Sequence, residues 1–137
     1  AGLGGPFGAI VVRGQEILAE GSNRVTSTID PTAHAEVVVI REACRRLGSF
    51  SLVGCELYTS CEPCPMCLAS AYWARVSRIV FANTRQDAAD IGFDDSLIYD
   101  EIPKPISERI ILMDHLPSLE AKAVFDAWAD KPDKIAY

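Results

Sequence analysis

A chain of 137 residues, 49% apolar and 23% charged, can bury a core without disulfide or metal staples, and its balance is that of a soluble globular protein. Its 13 basic and 19 acidic side chains leave a net charge of −6, which argues against a phosphate backbone as partner, and no long Lys/Arg run offsets it. Nucleic-acid binding is therefore disfavoured. No segment reaches the roughly 20 apolar residues of a membrane span, and the opening residues carry no basic leader, so a cytoplasmic location is expected.

In chain order, residues 1–6 read as a glycine-rich loop without the Gly-Lys-Ser/Thr of a phosphate cradle. Residues 7–13 are β-branched and apolar and predict a strand, and Gly14-Gln15 turns into a second strand over 17–20. Residues 21–31 form a polar loop. Residues 33–47 predict a helix, with Val37, Val38, Ile40, Ala43, Cys44 and Leu47 on its apolar face and Gly48 ending it. A third strand over 55–59 leads to Pro65, which suits the first position of a helix running to Arg75. A fourth strand over 78–82, short helices over 85–91 and 96–102, and a fifth strand over 109–113 follow. An amphipathic helix over 117–130 comes last. Strands alternating with helices imply α/β layers around a mixed sheet, and no linker divides the single domain expected over 1–137.

Two stretches concentrate the chemistry: Thr32-Ala33-His34-Ala35-Glu36 and Ser60-Cys61-Glu62-Pro63-Cys64-Pro65-Met66-Cys67. Together they give H-x-E and P-C-x-x-C, the signature of zinc-dependent nucleobase deaminases. A catalytic zinc takes three protein ligands and keeps one position for water. His34, Cys64 and Cys67 are the three candidates, and Cys64 and Cys67, three apart at a helix start, share one face. Glu36 is then a carboxylate beside the metal that suits proton shuttling. Five cysteines, three of them within Cys61 to Cys67, read as metal ligation in a reducing compartment better than as a disulfide framework. Cys44 and Cys55 read as buried thiols. Cys61 is either a fourth ligand that would make the zinc structural or a buried thiol beside the site, and His115 reads as a loop residue.

The chain resembles the cytidine deaminase-like superfamily on Gly4-Gly5-Pro6-Phe7-Gly8-Ala9, Asp30-Pro31-Thr32-Ala33-His34-Ala35-Glu36 and Tyr58-Thr59-Ser60-Cys61-Glu62-Pro63-Cys64-Pro65-Met66-Cys67. These motifs are shared by tRNA adenosine deaminases and bacterial guanine deaminases. Downstream, Tyr72-Trp73-Ala74-Arg75, Gly92-Phe93-Asp94-Asp95-Ser96, Ile98-Tyr99 and a terminal Tyr137 look like the guanine deaminases. The resemblance implies a three-layer αβα fold with a five-stranded mixed sheet, and hydrolysis of guanine to xanthine and ammonia in purine metabolism. It further implies Zn²⁺ on His34, Cys64 and Cys67, with Glu36 as proton carrier and Asp95 sharing in proton transfer. Substrate contacts carried over in the same way are Asn23 to the purine edge, Phe7 stacked on the base, the Ala35 N–H to a carbonyl, Asp95 to the N–H edge, Tyr137 as a cap and Trp73 at the pocket or dimer contact. A homodimer is implied, with the segment 115–137 exchanged between subunits. The family usually carries a helix before Gly4, where this chain starts. Two readings compete: a related deaminase of another base, including adenosine in tRNA, and a non-catalytic zinc module closed by Cys61.

Overall fold

Gly8–Arg13 forms β1, whose Ala9 and Val11 point inward while Ile10 and Val12 stay half-buried on the other side, the alternation that a pleated strand imposes. Gly14 turns the chain at φ +60°, a left-handed conformation that disfavours any Cβ. Glu16–Ser22 then returns as β2, antiparallel to β1. Glu56–Cys61 is β3, paired antiparallel to β1 on its other side, and Arg78–Asn83 is β4, parallel to β3. The sheet order is β2-β1-β3-β4. A parallel pair needs a long crossover, and a helix between β3 and β4 supplies it. The computed structural model describes residues 4–137, so residues 1–3 of the loop expected over 1–6 lie outside the described residues.

The polar stretch before the site holds a single helical turn, α1, Val25–Thr28. The principal helix, α2, spans Ala35–Leu47 and packs on β1 and β2. Its Ala35, Val39 and Ala43 are fully buried at helical spacing, and Gly48 ends it at φ +61°. The crossover helix, α3, is Pro65–Trp73, which contacts α2 and adds Ala71 to the core. Leu52, Leu57, Val11 and Val39 are fully buried at the centre of that core. Arg85–Asp90 is α4, opened by a capping box in which Thr84 and Asp87 satisfy each other's backbone N–H groups. Ser96–Glu101 is α5.

The chain divides after Tyr99 into two compact units. Ile106–Glu108 is a 3-10 turn in the second unit, and Leu119–Asp130 is α6, capped by the Ser118 hydroxyl on the Ala121 N–H. The fifth strand expected over 109–113 is not formed, and the sheet among the described residues has four strands. β-Branched residues make a strand only where a ladder partner takes their N–H and C=O groups. Here the Ile110 N–H donates to the Glu101 carboxylate, and Arg109 reaches the carbonyls of Ile102 and Lys104, so side chains replace the ladder. Every residue from 110 to 137 is exposed, Ile111, Leu112 and Phe125 among them. Among the described residues no helix is long and apolar enough to cross a membrane.

Candidate active site

Two helices start in the same way. His34 precedes α2 at φ −64°, ψ 154°, and Cys64 precedes α3 at φ −64°, ψ 168°. His34 thus stands just before its helix, where the sequence placed it inside the first turn. Neither side chain hydrogen-bonds its own helix end, so both are left to meet elsewhere. Cys67, in the first turn of α3, lies on the face of Cys64. His34 Nδ1 is 3.6 Å from Cys64 Sγ and 3.5 Å from Cys67 Sγ. Zinc–sulfur and zinc–nitrogen bonds at a tetrahedral angle span about 3.6 Å between nitrogen and sulfur, so both nitrogen–sulfur edges of this donor set fit zinc. Among the described residues it is the one group of metal-donor side chains of its kind, and Cys61 stands outside it. The Cys61 thiol donates instead to the Thr84 carbonyl at 3.5 Å.

The charge on the donors has a clear direction. The Cys64 thiol is pulled down to about 4, first by the hydrogen bond from Cys67 and then, against burial, by that from His34. Cys67 is pushed up by that same hydrogen bond, then by burial and the charge of Glu36. The two sulfurs therefore share one negative charge, and a second is opposed until a cation arrives. His34 is pushed up chiefly by its hydrogen bond to Cys64. The N-termini of α2 and α3 both favour negative charge at this point.

Glu36 is buried, 6% exposed, two positions after His34. Its Oε1 accepts from the Thr59 hydroxyl at 3.2 Å, and its Oε2 lies 3.4 Å from Cys67 Sγ. A cavity of about 750 Å³, within the range of small-molecule sites, opens onto His34, Glu36 and Cys64. Phe7, Asn23 and Asp95, all proposed from the sequence, line it as well.

Asn23 is 6% exposed, and its Oδ1 accepts from the N–H groups of Gly5 at 3.3 Å and Val25 at 3.1 Å. A free amide offers a ring edge both a donor and an acceptor. Both lone pairs are committed to backbone, so the NH₂ is what it can offer. Gly4 secures that arrangement, because a Cβ there would lie 1.9 Å from the Asn23 carbonyl oxygen. Asp95 is pushed up by burial and then by the negative charge of Cys64, with Arg85 opposing.

Several lining residues were not foreseen. Phe93 meets Phe7 edge to face, ring centroids 4.9 Å apart, and builds an aromatic wall. Its position beside Asp94-Asp95 was the available signal. Arg85 also lines the cavity, stacks over the Tyr99 ring at 4.5 Å and gives its backbone N–H to Glu62; no motif marks it. Ala35 opens α2 with its side chain fully buried, and its N–H is one of the first-turn donors that a helix cannot satisfy itself. Trp73 ends α3, 67% exposed, and does not line the cavity. Tyr137, 72% exposed, and His115 belong to the second unit.

Comparison with known proteins agrees with this geometry. The family model of the cytidine and deoxycytidylate deaminase zinc-binding region matches residues 2–83. Guanine deaminase of Bacillus subtilis is 53% identical over 137 residues, all of this chain and 88% of that protein. The tRNA-specific adenosine deaminase of Aquifex aeolicus is 47% identical over 77 residues, 56% of this chain and 51% of that protein. The crystal structure of the B. subtilis guanine deaminase superposes with a TM-score of 0.96 at 52% identity, covering 99% of this chain and 87% of that one. With a family match over more than half its length and metal donors at the spacing that family requires, the chain belongs to the cytidine and deoxycytidylate deaminase family of zinc enzymes.

Proposed function

We propose that this protein is a zinc-dependent guanine deaminase, converting guanine and water to xanthine and ammonia. The observation that carries the choice of base is the extent of likeness. It runs along the whole chain for a guanine deaminase and over 77 residues for a tRNA deaminase. The net charge of −6 points the same way, since a tRNA substrate rewards basic surface.

His34, Cys64 and Cys67 hold the metal. Zinc supplies the Lewis acidity that makes water a nucleophile at neutral pH. Glu36 takes a proton from the water whose oxygen attacks the amine-bearing carbon and gives it to the adjacent ring nitrogen. Glu36 next moves the remaining hydroxyl proton to the amine, so that ammonia leaves as the carbonyl forms. Burial of Glu36 keeps bulk water from intercepting these transfers. The base lies against Phe7, its acceptor edge on the Asn23 NH₂, its carbonyl on the Ala35 N–H and its N–H edge on Asp95.

Ammonia release from guanine, adenine, cytosine and a tRNA anticodon hairpin tests the assignment. Guanine is expected to exceed each of the others by roughly 10³-fold or more in kcat/KM, since a site built of placed polar groups leaves them unpaired with the wrong base. Turnover of another substrate without turnover of guanine overturns it. Asn23→Asp is a finer check, because the carboxylate still accepts from Gly5 and Val25 while the donor is gone. The melting temperature should fall modestly, because a carboxylate without a cation enters a buried position, and kcat/KM for guanine should fall roughly 10- to 100-fold, the worth of one buried hydrogen bond turned repulsive.

Tyr137 closes the site of a partner subunit in a homodimer that exchanges the segment 115–137. In support, residues 110–137 are exposed throughout in the single chain, apolar side chains included, a pattern that marks interaction surface. Five free cysteines, two of them thiolate donors to zinc, suit the cytoplasm.

A further inference from the structure

A threonine at an inward position of a buried strand needs a partner for its hydroxyl. Thr59 is such a residue. It lies on β3 between inward-facing Leu57 and Cys61, is 7% exposed, and pairs with Ala9 in the middle of the sheet. Its Oγ1 is 3.2 Å from Glu36 Oε1 and 3.5 Å from the Gly8 carbonyl. The hydroxyl has one proton, and the nearer, charged acceptor takes it. The other carboxylate oxygen, Oε2, lies toward Cys67. The two oxygens of Glu36 are therefore different, one against a strand and one against the metal donors.

We propose that Thr59 is the positioning residue for Glu36: its hydroxyl anchors Oε1 on the sheet and leaves Oε2 as the oxygen that carries protons beside the metal. The inference rests on the reading of Glu36 as the proton carrier. The terminal torsion of a Glu side chain is broad and roughly two-fold, so an unanchored carboxylate exchanges its oxygens and swings off the reacting atoms. Among the described residues no cation pairs with Glu36, and Cys67 is given over to the metal. Thr59 is the donor left to hold the carboxylate. Its β-branch restricts the direction of the hydroxyl, and β3 is held by a ladder on each side, to β1 and to β4.

Thr59→Val, Thr59→Ser, Glu36→Gln and the double variant Thr59→Val/Glu36→Gln test the proposal, each measured for zinc content, melting temperature, kcat and KM on guanine. Thr59→Val should keep stoichiometric zinc and an unaltered KM while kcat falls roughly 10- to 100-fold, the usual loss when a buried partner of a metal-site group is removed. Thr59→Ser should restore most of kcat, and Thr59→Val should slow Glu36→Gln no further, as for groups that act as a unit. Full kcat in Thr59→Val beside a dead Glu36→Gln overturns the role of Thr59 and leaves that of Glu36 standing. An active Glu36→Gln overturns both. Loss of zinc, a raised KM, or failure of Thr59→Ser to recover assigns Thr59 to structure alone and overturns the proposal. If the Val variant does not fold, Thr59→Ala is read against the same outcomes.

Discussion

Glu36→Gln should yield a folded, zinc-loaded protein whose kcat on guanine is at least ~10⁴-fold below that of the wild type. In the proposed reaction Glu36 performs two proton transfers, and each is worth roughly 10²–10⁴-fold when a positioned side chain carries it. A loss of ~10⁴ corresponds to about 5.5 kcal/mol of barrier. Gln has the shape of Glu, and its amide oxygen can accept from Thr59 as Oε1 does. The group of side chains able to hold the metal, His34, Cys64 and Cys67, does not include Glu36, so zinc content should be unchanged. Stability should not fall, because a buried carboxylate without a cation is replaced by a neutral group of the same volume. Metal analysis, thermal melting and steady-state kinetics on one preparation check all three. Zinc retained with full activity would remove the proton carrier from the mechanism.

The metal donors were legible in the sequence because their arrangement is local. Cys64 and Cys67 need one turn of helix to face together, and Pro65 announces where that turn begins. His34 and Glu36 need only the start of α2. Cys61 was ambiguous by spacing alone, since it lies three positions before Cys64, as Cys64 lies three before Cys67. The fold resolved it by turning its sulfur to the Thr84 carbonyl, a partner 23 residues away. The fifth strand failed for the opposite reason. A run of Ile110, Ile111 and Leu112 has the composition of a strand, but pairing depends on a free ladder, which composition does not report. Phe93 and Arg85 reach the cavity by tertiary packing, so neither spacing nor motif could place them. Thr59 could have been found: strand alternation puts it inward beside Leu57 and Cys61, and an inward hydroxyl demands a partner.

Removing zinc should abolish turnover and leave the fold standing. The large fully buried side chains of the core cluster, Val11, Val39, Leu52 and Leu57, belong to β1, α2, the loop before β3 and β3, and none of them is a donor; of the donors only Cys67 is fully buried. The donors sit at the ends of α2 and α3. Far-ultraviolet circular dichroism should therefore be nearly unchanged after chelation. The melting temperature should drop by roughly 10 °C or more, since a ligand present at ~1,000 times its dissociation constant contributes about 4 kcal/mol. Activity should return on adding back one equivalent of zinc, and His34→Ala, which removes one of three donors, should not recover it. A structural zinc module behaves otherwise, because there metal binding and folding are one event and the chelated chain unfolds. Loss of secondary structure on chelation would therefore point to a closed, structural centre, whereas a folded, silent and rescuable protein is what an open catalytic site requires.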